Sequence, residues 1–432
     1  MKIKYVLAII MITAFSAKSP VVRAESLEDA WTTALSADYR LKAAQMQTES
    51  AKQQVAAAKA QRLPDLRLEG GYTVMDNAPV AVVDFSIPGL ALDGFPLTED
   101  NSFAYQATTR LPLFTSGRIS RAIDAAGAGL KATRADETRT VENLKLDVAE
   151  AYVRVLQARR ANEVAADNVK SLSSHASNIQ NFFDKGLVAR NDLLAAQVAL
   201  ADAQQNELKA KNIREITQSA YNRLLGRPMG TPVVLDDLAA IPECGEDIQT
   251  LTEKALENRQ ELEILNQNSL ALQNQAAMIR AAVLPQVAIQ GGYGFQENKY
   301  QVHEGIWSAM IGVEWHIFDK GISRHRSAGL LNQSMAQMNL RNDLSSKIRL
   351  AVRQIWFDIN ETKKRIAVTK TAVSRSEENL NVSKDRYRKG LGINTEVLDA
   401  ETLRTKSYTN YNNAIYDNIL AMLRMRHAVG EL

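Results

Sequence analysis

The chain has 432 residues, of which 45% are hydrophobic and 23% are charged, and its formal net charge at pH 7 is +3. The single cysteine, Cys244, excludes an internal disulfide framework and a multi-cysteine metal site. Residues 1–24 hold four basic residues and no acid, so the rest of the chain carries a formal charge of −1, which gives no support for a nucleic-acid partner.

The N-terminal segment has the features of a secretory signal peptide. Lys2 and Lys4 precede an apolar run over residues 5–17, and Val22-Arg23-Ala24 places small residues where a signal peptidase cleaves. The apolar run is too short for a membrane anchor, which needs roughly 20 residues. The sequence therefore predicts cleavage after Ala24. An exported bacterial-type chain without a later apolar span is periplasmic, secreted or an outer-membrane β-barrel.

The chain contains an internal repeat. Motifs in the first part recur 221 residues later: Ala34-Leu35, Leu63-Pro64 and Gly70-Gly71-Tyr72 return as Ala255-Leu256, Leu284-Pro285 and Gly291-Gly292-Tyr293. Further along, the offset is 204, which relates Phe114, Gly117, Lys185-Gly186-Leu187 and Gly226 to Phe318, Gly321, Lys389-Gly390-Leu391 and Gly430. The first repeat therefore spans residues 25–226 and carries 17 extra residues between Tyr72 and Phe114, and the second spans 248–432.

Each repeat is predicted to begin with one helix of about 35 residues and to end with a long helical hairpin. The first helices, near 27–62 and 248–283, stop at Leu-Pro because proline removes a donor and disfavours a helical residue before it. The hairpins cover about 118–225 and 322–429, since no proline occurs at 113–227 or after 285. Residues 227–247 form a proline- and glycine-rich connector.

The hairpins carry a heptad-like pattern. Arg118 to Lys185 as one helix would be roughly 100 Å long, which suits a coiled coil or a helical tube but not a globular core. Twelve of thirteen positions at alternating spacings of three and four from Val141 to Phe183 are apolar. The matching row from Ser345 to Tyr387 includes many Ser and Thr residues, and such small residues favour a wall of laterally packed helices.

A strand pair lies between the helices of each repeat, at about 66–113 and 287–317. Apolar residues alternate along each strand, and each strand is about ten residues long, enough to cross a bilayer when tilted. A soluble sheet packed on a helix is the alternative. Four strands cannot close a barrel, and lipid does not tolerate open edges, so the chain must oligomerise. Three subunits would supply twelve strands for a wide, water-filled barrel.

The 17 extra residues fall in the first strand pair, around residues 76–100. This stretch contains no basic residue, and its acids are Asp76, Asp84, Asp93, Glu99 and Asp100. We expect an acidic extracellular loop at the mouth of the pore, with a metal-binding loop as the alternative.

Taken together, the duplicated strand pairs and long hairpins resemble the TolC family of outer-membrane efflux proteins. The motifs that carry the resemblance are the Leu-Pro before the first strand, Pro-Leu-Phe-Thr-Ser-Gly-Arg at 112–118, and the segments 183–192 and 387–399, which look like the family's helix-hairpin turns. The resemblance covers essentially the whole mature chain. It implies a mainly α homotrimer with a 12-stranded outer-membrane β-barrel and a 12-helix periplasmic α-barrel. It also implies an inner-membrane transporter of the RND, MFS or ABC type and a periplasmic adaptor as partners.

The resemblance assigns functional residues to the two helix tips. Gly186-Leu187 and Gly390-Leu391 match the turns that adaptors grip, and a plain helix–helix turn is the alternative. Glu396 and Asp399 match acids that form rings at the closed pore end, and Asp192 occupies the corresponding place after the first tip. Three copies of each would favour cations, while stabilisation of a helix N-terminus is the alternative, above all for Asp192.

A tyrosine near the second tip is assigned to the gate. Tyr387 matches a tyrosine that latches the inner coiled coil of the family. The usual arginine partner position is Gly392 here, so the latch must differ, with Arg386 or Arg388 as replacement candidates.

Three functions remain open at this point. The leading one is the passive exit duct of a tripartite efflux system in the outer membrane of a Gram-negative bacterium. The alternatives are the exit duct of a type I protein secretion system and a periplasmic coiled-coil scaffold without a pore. An enzyme, a cofactor and a metal site are not expected, because the five histidines are dispersed and no glycine-rich phosphate loop occurs.

Overall fold

A computed structural model describes residues 24–82, 94–238 and 245–432 of the chain. The predicted signal peptide up to Arg23, Cys244 and the loop acids Asp84 and Asp93 lie outside the described residues. The chain divides into two compact units. Of the described residues, the first unit contains 24–38, 144–238 and 357–424, and the second contains 39–82, 94–143, 245–356 and 425–432.

Helices make up most of the described chain, and six strands accompany them. The helices are α1 Leu27–Ala37, α2 Tyr39–Ala60, α3 Arg118–Asp184, α4 Arg190–Leu224, α5 Ile248–Asn258, α6 Gln260–Ala282, α7 Ile322–Arg388 and α8 Asn394–Ala428. The strands are β1 Asp65–Val74, β2 Val80–Ala81, β3 Phe95–Pro96, β4 Asn101–Phe114, β5 Gln286–Gln296 and β6 Gly305–Glu314.

The single helix predicted at the start of each repeat is wrong, because the structure has two helices there. The backbone is extended at Asp38, with ψ 126°, and at the equivalent Arg259, with ψ 117°. Neither break contains proline or glycine, so nothing in the local sequence marks it. The first member of each pair, α1 or α5, has its own N-cap and its own buried residues, Ala30 and Ala34 or Leu251 and Ala255, and this tertiary packing overrides the local helix propensity.

The long helices follow the proline-free stretches. Helices α3 and α7 each run for 67 residues without interruption. Each is followed, after a short turn, by a helix of 35 residues, α4 or α8. Gly226 and Gly430 follow these helices with positive φ values of 67° and 74°, the left-handed conformation in which glycine often terminates a helix.

The second unit contains a four-stranded antiparallel sheet with the strand order β1-β4-β5-β6. Its pairing separates a polar face from an apolar face. The polar face carries Asp65, Arg67, Glu69, Gln106, Thr108, Arg110, Gln290, Ser308 and Glu314. The apolar face carries Leu66, Leu68, Tyr72, Phe103, Tyr105, Leu111, Ile289, Tyr293, Phe295, Trp307, Ile311 and Val313. The alternation agrees with the sequence, and Leu66 and Trp307 on the apolar face are 81% and 80% exposed.

In the first unit, the beginning of the connector is fixed to the helices of the first repeat. Leu235 forms a parallel β-bridge with Glu25, and the Glu25 carboxylate accepts two hydrogen bonds, of 2.7 and 2.9 Å, from the Arg227 guanidinium. Asp237 accepts hydrogen bonds from Arg159 and Arg160 on α3 at 2.5 and 2.7 Å. These contacts are local to the first unit and hold the connector against α3.

Across the described ranges, none of the helices combines the length and the apolar character needed to cross a bilayer.

Candidate functional site

The site lies in the first unit, where α3 turns into α4 and α7 turns into α8. Both turns are closed by the same backbone pattern. After α3, Gly186 N–H donates to Phe183 O at 2.8 Å and Leu187 N–H donates to Phe182 O at 2.9 Å. After α7, the equivalent bonds run from Gly390 to Tyr387 O and from Leu391 to Arg386 O, at 3.0 and 2.8 Å. This is a Schellman motif, which satisfies the last helical carbonyls.

The two tip glycines and leucines have separate physical roles. Gly186 and Gly390 have φ values of +73° and +71°, a conformation that other residues adopt only at a cost in free energy. Leu187 and Leu391 follow them and are 69% and 68% exposed. The structure therefore presents one apolar side chain at each tip, held by a rigid turn. A second exposed apolar residue, Ile393, lies two positions after Leu391. No function was predicted for it from the sequence.

A hydrophobic cluster behind the tips packs the four helices together. Its buried members are Ala176, Ile179, Leu193, Ala196, Leu380, Tyr387, Val397 and Ala400. The Tyr387 ring meets the His175 ring edge-on with centroids 5.5 Å apart, and it lies 6.3 Å from the Phe182 ring. Tyr387 is thus part of the contact between α7 and α3 within one chain.

The Tyr387 hydroxyl is buried and has no hydrogen-bond partner in the described part of the chain. Burial raises the pKa of this hydroxyl, and the Asp192 carboxylate raises it further. Arg386 donates instead to Leu391 O at 3.2 Å, and Arg388 pairs with Asp385. Neither arginine therefore contacts the Tyr387 hydroxyl within the chain.

A polar chain of contacts links α3, α4 and α8 beside Tyr387. His175 Nε2 lies 2.9 Å from Asn394 Oδ1, and Asn394 Nδ2 donates to the main-chain oxygen of Asp192 at 3.1 Å. Because an amide oxygen only accepts, the hydrogen-bond network places a proton on His175 Nε2. Burial lowers the pKa of His175; the hydrogen bond with Asn394 opposes this in part, the charge of Lys384 lowers the pKa further, and Glu401 has a smaller raising effect.

A buried ion pair lies further from the tips between α3, α7 and α8. Glu401 is 1% exposed, and its Oε1 lies 2.6 Å from Lys384 Nζ, which also donates to Ser171 Oγ at 2.7 Å. Ser171 Oγ contacts the same carboxylate, and Arg404 Nη1 lies 3.8 Å from Glu401 Oε2. Ser171, His175, Lys384, Asn394 and Glu401 form what we call the inter-hairpin network, because they join the hairpins of the two repeats. A groove of about 720 Å³ borders it.

Sequence reasoning missed the whole inter-hairpin network. One usable signal was Glu401, which follows Val397 and Ala400 on the buried side of α8 and is a charged residue on an otherwise small, apolar face. Its partners could not be found from the sequence, since Ser171 and Glu401 are 230 residues apart.

The predicted ring acids lie in the first two turns of the helices that follow the tips. Asp192 lies in the first turn of α4 and Glu396 in that of α8, while Asp399 follows three residues later on the same side of α8. Asp399 is exposed, and Glu396 lies against the backbone of Gly392, where a Cβ would be 3.0 Å from its Oε2. Within one chain Glu396 and Asp399 lie close together on α8, whereas Asp192 lies on α4, where its charge raises the pKa of Tyr387.

Comparison with known proteins gives one consistent result. A family model described as outer membrane efflux protein matches residues 31–227 and 251–431. The chain is 23% identical to outer membrane protein TolC of Vibrio cholerae, with 99% of this chain and 96% of the relative covered. It is 24% identical to the alkaline protease secretion protein AprF of Pseudomonas aeruginosa, with 94% and 84% covered.

Solved structures give the same fold. The chain matches a structure of the outer-membrane channel OprN with a TM-score of 0.79 at 19% identity, covering 94% of this chain and 90% of that one. The predicted fold class, the outer-membrane location with a periplasmic extension, and the role as an exit duct for efflux or type I secretion are confirmed.

Proposed function

The chain belongs to the outer membrane efflux protein family, and from that premise we propose that it forms the homotrimeric exit duct of a tripartite efflux system. In this proposal three copies share a 12-stranded barrel and a 12-helix periplasmic tube. The duct is passive and catalyses no reaction. A periplasmic adaptor connects it to an inner-membrane transporter, which supplies the energy.

The observation that carries this proposal is the pair of apolar tips. Leu187 and Leu391 are the exposed residues of two rigid glycine turns, at equivalent positions of the two repeats. Two exposed leucine side chains per chain, one at each tip, suit an adaptor that binds helix hairpins through repeated, shallow apolar contacts. We assign adaptor docking to Gly186, Leu187, Gly390 and Leu391.

The gate is proposed to lie just behind these tips. The Tyr387 ring packs α7 against His175 and Phe182 of α3, and the inter-hairpin network adds two polar links to α3, from Asn394 to His175 and from Lys384 to Ser171. Threefold symmetry would bring copies of Glu396, Asp399 and Asp192 close to a common axis, where acids favour cations over anions. In this view the network keeps the second hairpin, α7–α8, against the first until the adaptor engages.

Type I protein secretion is the second candidate, because the relative AprF is named for the secretion of an alkaline protease. The same trimer and the same tips would serve either task. The partner transporter decides between them: an ABC transporter would indicate protein export, and a proton-driven pump would indicate small molecules.

The docking assignment is tested by charging the tips. We expect Leu187→Glu with Leu391→Glu to abolish export in a strain that lacks its own duct, while trimers still form in the outer membrane. Charged side chains remove the apolar contact without disturbing the glycine turns. The readouts are survival in toxic compounds and the amount of trimer in membranes.

A matched control is Val302→Glu. Val302 is another exposed apolar residue, with 92% of its surface accessible, and it lies in the turn between β5 and β6. This variant is expected to export normally. Normal export by the double tip variant would show that the tips are not the docking site.

A further inference from the structure

A groove of about 510 Å³ between α5 and α7 in the second unit has no role in the proposed duct. Its lining includes the apolar residues Ile248, Leu256 and Leu350 and the charged residues Glu253, Arg349 and Arg353. The volume lies in the range of roughly 300–1,000 Å³ that is typical of binding pockets. Leu350 is 56% exposed although it is apolar. This feature, the α5–α7 groove, is therefore a candidate binding site.

The first repeat provides an internal reference for this groove. Adding 221 converts the residue numbers of α1 into those of α5, and adding 204 converts those of α3 into those of α7. Ala34 and Ala255 occupy equivalent positions and are both 0% exposed, and the same holds for Val148 and Val352. Equivalent positions are therefore buried in both repeats, so the surroundings of the groove can be compared residue by residue.

In the first repeat, an indole ring occupies the place that corresponds to the groove. Trp31 of α1 reaches α3, where its Nε1 donates to the main-chain oxygen of Lys145 at 2.8 Å. The Lys145 Nζ lies 5.7 Å from the centre of the Trp31 ring, which is within the distance of a cation–π contact. Helix α1 therefore contacts α3 through an aromatic side chain that lies beside a cation.

The second repeat keeps the cation and lacks the ring. Thr252 stands at the position of Trp31, and its hydroxyl donates to the main chain of α5 itself at 2.6 Å. Arg349 stands at the position of Lys145 and is exposed. Because a threonine side chain is too short to replace an indole, the α5–α7 groove is the space that remains.

We propose that the α5–α7 groove binds an aromatic side chain, preferably tryptophan, that a second protein presents next to an acidic residue. The ring would lie where Trp31 lies in the first repeat, and Arg349 would make the contact that Lys145 makes there. Guanidinium groups stack on aromatic faces, so arginine at this position suits an aromatic guest. Arg349 and Arg353 outnumber Glu253 in the lining, which favours a carboxylate beside the ring.

A protein segment fits the groove better than a free small molecule does. Leu350 is exposed in the second repeat, whereas its counterpart Leu146 is half-buried in the first. A segment that delivers the ring would also cover Leu350. The helices belong to the part of the molecule that extends into the periplasm, so the partner is a periplasmic protein. This site goes beyond the proposed duct and does not depend on docking at the tips.

Saturation-transfer NMR with a short peptide tests the chemistry of recognition. The probe is the acetylated and amidated tripeptide Glu-Trp-Glu, added to the purified wild-type protein, and we expect transfer to its indole protons. Thr252→Trp places an indole in the groove from α5 itself and should abolish the transfer. Arg349→Gln leaves the groove open but removes the cation, and it should weaken binding, measured by titration, by about threefold. Retained helical circular dichroism shows that both variants are folded.

Two controls accompany this test. Glu257→Trp adds an indole at an exposed position of α5 outside the groove, and it should bind the probe like the wild type. The tripeptide Glu-Leu-Glu has the same charge without the ring and should give no transfer. Equal transfer to the two peptides, equal transfer from Thr252→Trp and the wild type, or no transfer from the wild type would overturn the proposal.

Cysteine labelling tests whether a partner occupies the groove in cells. In a Cys244→Ser background, the rate of maleimide labelling at Thr252→Cys is divided by the rate at Glu257→Cys. We expect a lower ratio in intact cells than in the purified protein, because the partner covers only the first position. An equal ratio would overturn the proposal. Full protection of Thr252→Cys in the purified protein would show that a second copy covers the groove, and this result would also overturn it. None of these readouts depends on export, so the duct is tested separately.

Discussion

At the scale of single residues, the behaviour of the tips depends on ionisable groups that are kept from water. His175 is buried and faces Asn394, Lys384 and Glu401, and the burial holds its pKa below the ordinary value. Glu401 is almost fully buried and remains compensated through Lys384, Ser171 and Arg404. The contacts of Ser171 and His175 with Lys384, Glu401 and Asn394 exist only while α3 and the α7–α8 hairpin stay together, so they make this contact specific as well as stable.

The lowered pKa of His175 predicts an acid-sensitive contact. An unfolded histidine takes up its proton near pH 6.5, above the pKa of His175 in the fold, so its contribution to stability is complete above about pH 6.5 and is lost as pH falls toward the lowered value. His175→Gln keeps a donor for Asn394 and does not titrate. We expect its free energy of unfolding, measured by circular dichroism in urea, to vary less than that of the wild type between about pH 7.5 and pH 5.

His303→Gln, at an exposed histidine in the turn between β5 and β6, is the control and should retain the wild-type pH dependence. If His175→Gln also retains it, the buried histidine is not the acid-sensitive group.

The Lys384–Glu401 pair predicts an asymmetric response to mutation. Lys384→Met leaves a buried carboxylate without its closest cation, which costs about 3 kcal/mol of unfolding free energy for a buried pair, and somewhat less here because Lys384 is 29% exposed. Lys384→Met with Glu401→Leu removes both charges and should recover most of that loss. Urea unfolding, followed through the helical signal in circular dichroism, measures the loss in the single variant and the recovery in the double variant. If Lys384→Met is as stable as the wild type, the Lys384–Glu401 pair contributes nothing to the free energy of unfolding.

At the scale of elements, absence of proline was sufficient to predict the long helices. Residues 118–184 and 322–388 contain none, and both form single helices. The breaks at Asp38 and Arg259 could not be predicted, because no glycine or proline occurs there and the extended backbone is imposed by packing. The alternation along β1 and β4–β6 predicted both faces of the sheet, since a period of two is fixed by strand geometry.

Glycine substitutions distinguish the turn from the helix body. Gly390→Ala should lower the unfolding free energy by about 1–2 kcal/mol, because a Cβ is unfavourable at φ +71°. Gly329→Ala, inside α7 with open space around its Cβ, should raise it by up to about 1 kcal/mol. Urea unfolding compares the two. Stabilisation by both substitutions would contradict the left-handed turn at the second tip.

At the scale of the whole molecule, features that recur within each repeat could be predicted from the sequence, whereas contacts between the two repeats could not. The repeat and the family resemblance identified Gly186-Leu187 and Gly390-Leu391, because a glycine turn and the leucine after it form a short motif that recurs in both repeats. The inter-hairpin network was not readable, since it joins residues of different repeats: His175 and Asn394 are 219 residues apart. Helical spacing within one segment cannot show which residue of another segment it will meet.

The most direct test of the account is the conductance of the purified protein in planar bilayers, with the reversal potential measured across a salt gradient. We expect discrete channels that prefer cations. Glu396→Ala with Asp399→Ala should conduct but lose most of that preference, because the acids near the tips are removed while the barrel is intact. Absence of channels from the wild-type protein would contradict the duct, and an unchanged ion preference in the double variant would contradict the acidic ring at the tips.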